Sequence, residues 1–126
     1  MKRATTTNIN RLSKAEGGTR ISIYLPLHVG PANHPKDDIT VKHVLDTLRS
    51  KLKYVADPRV KPATKRISEE LRLALLGQKG ITVCIFDDLD KLTVLYTPAE
   101  IEEQVYVGLS FATKMLAEVT PKSTPH

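Results

Sequence analysis

The stretch over residues 20–52, RISIYLPLHVGPANHPKDDITVKHVLDTLRSKL, decides the fold, because it joins a strand pattern to a helix pattern through a proline-rich loop. In its first residues, Ile21, Ile23 and Leu25 alternate with other side chains, which predicts a strand. Since proline cannot donate a hydrogen bond to a sheet, this strand should span residues 20–25 and stop at the proline that follows.

A loop and a long helix follow this strand. The loop is marked by residues that restrict or bend the backbone, namely Pro26, Gly30, Pro31 and Pro35. Asp37, Asp38 or Thr40 then offers a side-chain oxygen to cap the helix. Apolar residues recur at helical spacing after these residues and form one stripe, which consists of Val41, Val44, Leu45, Leu48, Leu52 and Val55.

A second helix is expected after a break at Asp57-Pro58. Pro62 suits the first turn of this helix, where a missing N–H costs nothing, and Gly77 suits its C-terminal end. The apolar face of the second helix consists of Ile67, Leu71, Ala74 and Leu75. Each helix therefore has one apolar side that can pack on a sheet.

Three strand segments follow the two helices. Residues 81–86 are apolar on both faces, which is typical of a central strand that is covered on both sides. An aspartate-rich turn should join them in a hairpin to residues 92–96, and residues 104–107 form a fourth strand. Gly108 then separates this strand from a last helix over residues 109–119. We expect an α/β (α+β) fold with a mixed four-stranded sheet and packed helices, in the order β-α-α-β-β-β-α.

The chain of 126 residues has the length of a single domain. Residues 1–19 are a polar N-terminal segment that either forms a short helix or is disordered. Residues 20–119 form the single α/β domain, and residues 120–126 are expected to be a frayed tail.

The cellular compartment is suggested by cysteine content and hydropathy. Cys84 is the only cysteine, so no intramolecular disulfide can form, and its apolar neighbours predict a buried thiol. No segment is apolar enough for a membrane helix, and the basic N-terminus lacks the apolar region of a secretory signal. We therefore expect a cytoplasmic protein that has no contact with membranes.

Four segments together resemble the N-terminal domain of the bacterial archaeo-eukaryotic release-factor-like family. They are ISIYLPLHVGP (21–31), DDITVKHVLDTLRSKL (37–52), GITVCIF (80–86) and LTVLYTPAEIEEQVYVG (92–108), and the resemblance covers about residues 20–117. It implies a translation-related domain. The loop that carries the family motif consists of Tyr24, Pro26, His28, Gly30 and Pro31.

The catalytic motif of true termination factors is missing from this sequence. Their hydrolytic Gly-Gly-Gln lies in a middle domain to which the resemblance does not extend. Here Gly17-Gly18 is followed by Thr19, and Gln78 is preceded by one glycine, Gly77. Ser/His/Asp patterns and glycine-rich phosphate loops are also missing from the sequence. We expect no enzymatic activity, no cofactor and no small-molecule substrate.

A run of basic residues is the first candidate site. Residues 1–66 carry 14 Lys and Arg against 5 Asp and Glu, whereas residues 67–126 carry 5 against 9. The run itself consists of Arg49, Lys51, Lys53, Arg59, Lys61, Lys65 and Arg66. Clustered cations of this kind bind phosphate backbones, and the resemblance makes the ribosome, or RNA more generally, the expected partner. The alternative is a solvated basic face around a turn between two helices.

Two other polar clusters are explained more simply by loop and turn structure than by metal binding or catalysis. His28, His34 and His43, with two nearby aspartates, match the spacing of no standard metal site, so we expect no bound metal. Asp87, Asp88 and Asp90 lie in a short hairpin connection, where aspartate is favoured for turn geometry.

An interaction module is the alternative function. Such a module would bind a partner protein or a second copy of itself, without a nucleic acid, by matching its acidic surface to a basic one. The acidic residues of the C-terminal half that could form this surface are Glu69, Glu70, Asp87, Asp88, Asp90, Glu100, Glu102 and Glu103.

Overall fold

The computed structural model describes residues 1–30 and 34–121, without the side chain of His34. These residues form a mixed α/β fold, as the sequence predicted. In chain order its strands and helices are β1 (Lys2–Arg3), α1 (Thr6–Ser13), β2 (Glu16–Leu27), α2 (His34–Leu52), α3 (Val60–Leu75), β3 (Ile81–Asp87), β4 (Leu92–Thr97), β5 (Gln104–Ser110) and α4 (Lys114–Val119).

The described residues form one mixed sheet with the strand order β1-β4-β3-β2-β5. Strand β1 is parallel to β4, and the pairs β4–β3, β3–β2 and β2–β5 are antiparallel. The predicted sheet had four strands and did not include β1. This strand has only two residues, and both are charged, so it gives no alternating apolar signal.

Helices cover both faces of the sheet, and the sheet separates the core into two layers. On one face, α2 and α3 pack on Ile21, Ile23, Val83 and Ile85. On the other face, residues of α1 and α4 pack around Tyr24, Cys84 and Phe86. Both predictions for β3 are confirmed, because this strand is central in the sheet and buried on both faces.

The apolar stripe predicted for the long helix is confirmed. Val41, Val44, Leu45, Leu48 and Leu52 are buried, and Val55 packs against the same layer. The predicted caps were wrong, because α2 begins at His34, so that Asp37, Asp38 and Thr40 lie inside it. Pro35 was assigned to the loop but occupies the first turn of the helix, where its missing N–H needs no partner.

Strand β2 is longer than predicted and includes Pro26. Pro26 pairs with Thr82 of β3, whereas pairing with β5 ends at Tyr24. Proline is tolerated at this position because β2 has a neighbour there on only one side. At its other end β2 begins at Glu16, beyond a bulge at which the register with β5 shifts.

The C-terminal elements also differ from the prediction. Strand β5 continues through Gly108 to Ser110, because Gly108 pairs with Arg20 and Ser110 pairs with Glu16. Helix α4 therefore begins at Lys114 instead of residue 109. Most of the predicted frayed tail, residues 122–126, lies outside the described residues.

Candidate nucleic-acid interface

Helices α2 and α3 enclose an open groove of about 970 Å³ on the surface that faces away from the sheet. Its apolar floor comes from Leu52, Val55 and Val60. Five cationic side chains line it, and we call this surface the basic groove: Arg49, Lys53, Lys61, Lys65 and Arg72.

Helical spacing explains why these five side chains meet. Arg49 and Lys53 are four residues apart on α2, and Lys61 and Lys65 are four residues apart on α3. Residues four apart share one face of a helix, as do residues seven apart, which brings Arg72 to the face of Lys65. Arg72 was not among the predicted site residues, although its spacing from Lys65 was a usable signal.

The charge of the basic groove is largely uncompensated. Asp57 and Glu69 are the two carboxylates among its lining residues, which leaves a net charge of +3. Within residues 1–30 and 34–121, no ion pair engages Lys53, Lys61, Lys65 or Arg72. Arg49 has one partner, Asp46, at a long 3.7 Å on the exposed helix surface. At least four cations are therefore available to an external anion.

Three of the predicted basic residues lie outside the groove. Arg59 donates to Asp57 at 2.8 Å and to Asp90 at 2.7 Å, so its guanidinium is shared by two carboxylates. The hydrogen bonds from Arg59 lower the pKa of Asp57 to about 2. Lys51 is exposed but lies on a different side of α2 from the groove-lining residues. The two contacts of Arg59 therefore join the start of α3 to the β3–β4 turn.

The guanidinium of Arg66 binds a buried carboxylate. Its Nε and Nη2 donate to the two carboxylate oxygens of the fully buried Asp87, at 2.7 and 2.8 Å. The hydrogen bonds from Arg66 to Asp87 raise the pKa of the guanidinium, and Asp87 also accepts from the backbone N–H of Leu89 at 2.7 Å. Leu89 has a left-handed backbone with φ of 76°, which this hydrogen bond helps to hold.

The carboxylate of Asp88 makes turn contacts in this hairpin. Asp88 Oδ1 accepts from the backbone N–H groups of Asp90 and Lys91, at 2.9 and 2.7 Å. Such contacts are the usual role of aspartate in a turn. Within the described part of the chain, no group of three or more His, Cys, Asp and Glu side chains is arranged to hold a metal ion.

The residues of the predicted family-motif loop do not form one surface. Tyr24 is buried in β2, where its hydroxyl donates to the carbonyl oxygen of Ala112 and burial raises its pKa. Pro26 lies in the same strand, and Gly30 has a left-handed φ of 104°. Pro31 lies outside the described residues.

His28 joins the end of β2 to two other parts of the fold. Its Nδ1 lies 3.0 Å from Asp37 of α2, and its Nε2 lies 3.2 Å from Glu100, which precedes β5. The same Asp37 accepts from the backbone N–H of His28, which explains why a carboxylate that is 1% exposed is tolerated there. The hydrogen bond to Asp37 is the main cause of the raised pKa of His28.

His43 makes a contact of its own. His43 is exposed on α2, away from the apolar stripe as predicted, and meets Glu103 at 3.2 Å. The side chain of His34 lies outside the described residues. The described histidine side chains, His28 and His43, therefore meet different carboxylates.

Within the described part of the chain, five carboxylates of the acidic half meet arginine or histidine side chains of the same molecule. Arg66, Arg20 and Arg59 meet the three hairpin aspartates, and His28 and His43 meet two of the glutamates. Such pairing reduces the acidic surface that a basic partner would meet.

Comparisons with known proteins leave the resemblance to release-factor-like domains a prediction. Neither family models nor curated proteins gave a match to this chain. Among the described residues, no helix combines the length and hydropathy needed to cross a bilayer.

Proposed function

We propose that the chain is a translation-related domain without enzymatic activity that contacts RNA, ribosomal RNA in the first place, through the basic groove. The observation that carries the proposal is the convergence of five cations from two helices on one groove with a net charge of +3. Phosphate backbones are bound by such clusters.

The lining of the groove favours the RNA backbone over the bases. No aromatic side chain occurs among the described residues that line it, so bases have no stacking platform. Tyr54 is exposed next to Lys53, whose Nζ lies 5.6 Å from its ring, but Tyr54 is not part of the groove. Contacts to phosphates position a protein on RNA without reading sequence, so we expect weak dependence on sequence.

The resemblance supports the choice of partner. The resemblance implies a translation-related domain, for which ribosomal RNA is the natural partner. A cytoplasmic location fits this role, and the role needs no cofactor. The alternative, an interaction or self-association module, draws support from a different feature, the uncovered edge of β5.

Salt-dependent binding to a fluorescently labelled RNA hairpin tests the proposal. In the groove variant, Lys61→Glu and Lys65→Glu are combined; in the control, Lys14→Glu and Lys91→Glu make the same charge change at exposed positions away from the groove. Each groove lysine removed should reduce the slope of log affinity against log salt by about 1. The control should keep most of the affinity of the native protein. Equal losses in both variants would show that net charge, and not the groove, attracts the RNA.

A further inference from the structure

The outer edge of β5 has no strand neighbour among the described residues. Strand β5 is last in the strand order, so it pairs with β2 on one side only. Its sequence, QVYVGLS, contains no charged residue and no proline, the two features with which edge strands usually block further pairing. Alternate N–H and C=O groups of this strand therefore face outward, where another strand can pair with them.

The opposite edge of the sheet differs sharply from β5. It is formed by β1, which consists of Lys2 and Arg3 and pairs with β4 over only two residues. A short, cationic edge of this kind resists the addition of another strand. Lys2 and Arg3 therefore cover only the part of β4 at Leu95 and Tyr96, whereas no described strand pairs with the outer side of β5.

Apolar side chains flank the open edge on both faces of the sheet. Leu109 is 73% exposed on the face covered by α2, and Tyr106 is 43% exposed on the other face. The ring of Tyr106 lies over Gly108, at 2.7 to 2.9 Å from where a Cβ would be. This ring replaces the side chain that Gly108 lacks and keeps the edge strand continuous for pairing.

The charges around β5 suit a second copy of the chain in antiparallel orientation. Glu102 and Glu103 precede β5, and Lys114 follows it at the start of α4; Glu102 and Lys114 are exposed. Across a two-fold axis, the acidic end of one strand lies beside the basic end of the other. A parallel arrangement would place like charges together at both ends.

We propose that two copies of this chain associate through antiparallel pairing of their β5 strands, which joins their sheets into one. Pairing would satisfy the outward backbone groups and cover Tyr106 and Leu109. The inference is independent of RNA binding, because the groove lies between α2 and α3 and none of its lining residues comes from β5.

Sedimentation velocity over a wide dilution series tests this association. We expect a monomer–dimer equilibrium that Leu109→Lys weakens by about tenfold or more, because it places like charges close together at the axis. The control is Leu76→Lys, since Leu76 is 86% exposed at the end of α3, away from β5, and should leave the equilibrium unchanged.

Hydrogen exchange on the native protein provides a readout that needs no variant. Alternate amides of β5 should exchange more slowly at dimer-forming concentrations, and β1 amides should not change. A native protein that stays monomeric at every concentration would overturn the proposal. So would a dimer that Leu109→Lys and Leu76→Lys weaken equally, or one without added protection in β5. RNA binding that persists in the Leu109→Lys variant would separate this surface from the basic groove.

Discussion

At the scale of single residues, the contact between Arg66 and Asp87 shows what a linear pattern cannot reveal. The sequence placed Arg66 in a basic run and Asp87 in a hairpin connection, but Asp87 is the last residue of β3 and pairs with Leu92. The two residues are 21 positions apart and meet only because α3 packs on the sheet beside β3. A basic residue on a helix is therefore available to an external anion only if no carboxylate of the same chain pairs with it.

Removing the carboxylate of Asp87 should destabilise the fold strongly. Asp87→Ala leaves the partly buried guanidinium of Arg66 and the buried N–H of Leu89 without an acceptor. We expect the free energy of unfolding to fall by about 3 kcal/mol, as for other broken buried pairs. Urea denaturation measures this loss.

A control on an exposed pair separates burial from charge. Asp46→Ala removes the carboxylate that meets Arg49 at 3.7 Å on the helix surface. Exposed pairs contribute little, so the free energy of unfolding should change by less than about 1 kcal/mol. Similar losses in the two variants would contradict the structural role of Asp87.

The contacts of His28 should make part of the stability depend on pH. Folding raises its pKa above the ordinary value of 6.5, chiefly through the hydrogen bond to Asp37. This contribution is complete below the unfolded pKa and is lost as the pH rises through the folded pKa. The His28 side chain is 44% exposed, so solvent screening should limit the effect to about 1 kcal/mol or less.

The measurement compares the native protein with His28→Gln by urea denaturation. The stability difference between them should be larger near about pH 5.5 than near about pH 8.5, on either side of the ordinary histidine pKa. His43→Gln is the control, since that side chain is 67% exposed and its loss should matter little. A difference for His28→Gln that stays constant or grows with pH would refute this assignment.

At the scale of elements, the sequence predicted those with strong apolar periodicity and missed those that depend on distant partners. The stripe of α2 and the doubly apolar β3 follow from their own residues. Strand β1 exists because β4 offers an edge to pair with, and β2 extends through Pro26 because β3 continues beside it. The residues after Gly108 stay in β5 because the start of β2 pairs with them. Local propensity carries no information about these partners.

The same distinction applies to the site. The sequence located the basic run, and helical spacing would have added Arg72. It could not show that Arg59 and Arg66 are used by carboxylates from the β3–β4 turn. The sequence also could not show that β5 lies at an edge of the sheet, because the order of strands in a sheet does not follow from their order in the chain.

Helix α1 should contribute to stability, although it lies in the polar N-terminal segment. Ile9 is 5% exposed and packs in the second core layer with Tyr24 and Leu116. Ile9→Ala should reduce the free energy of unfolding by about 2 to 4 kcal/mol, the usual cost of truncating a buried isoleucine. Thermal or urea denaturation measures this change.

Ile39→Ala is the matched control, because Ile39 is 66% exposed on α2. It should change stability by about 0.5 kcal/mol or less. A small effect of Ile9→Ala, equal to that of the control, would mean that α1 contributes little to the stability of the domain.

At the scale of the whole molecule, the uneven charge of the sequence becomes two different surfaces. Cations of the first half collect on α2 and α3, where the basic groove keeps a net charge of +3. Carboxylates of the second half mostly meet arginines and histidines of the same chain. The formal net charge of +5 therefore understates how basic the groove side is. An anionic partner would approach this side first.

A dimer formed through β5 would carry two basic grooves. Two linked sites on one large RNA bind more tightly than either alone, provided that both can reach it. Self-association and RNA contact are thus compatible.

Co-sedimentation with ribosomes tests the central claim most directly. The native protein, the groove variant with Lys61→Glu and Lys65→Glu, and the control with Lys14→Glu and Lys91→Glu are each pelleted with ribosomes at low and moderate salt. We predict that the native protein and the control pellet at low salt and are released at moderate salt, while the groove variant stays in solution throughout. Native protein that does not pellet at low salt, or a groove variant that pellets as well as the native protein, would contradict the account.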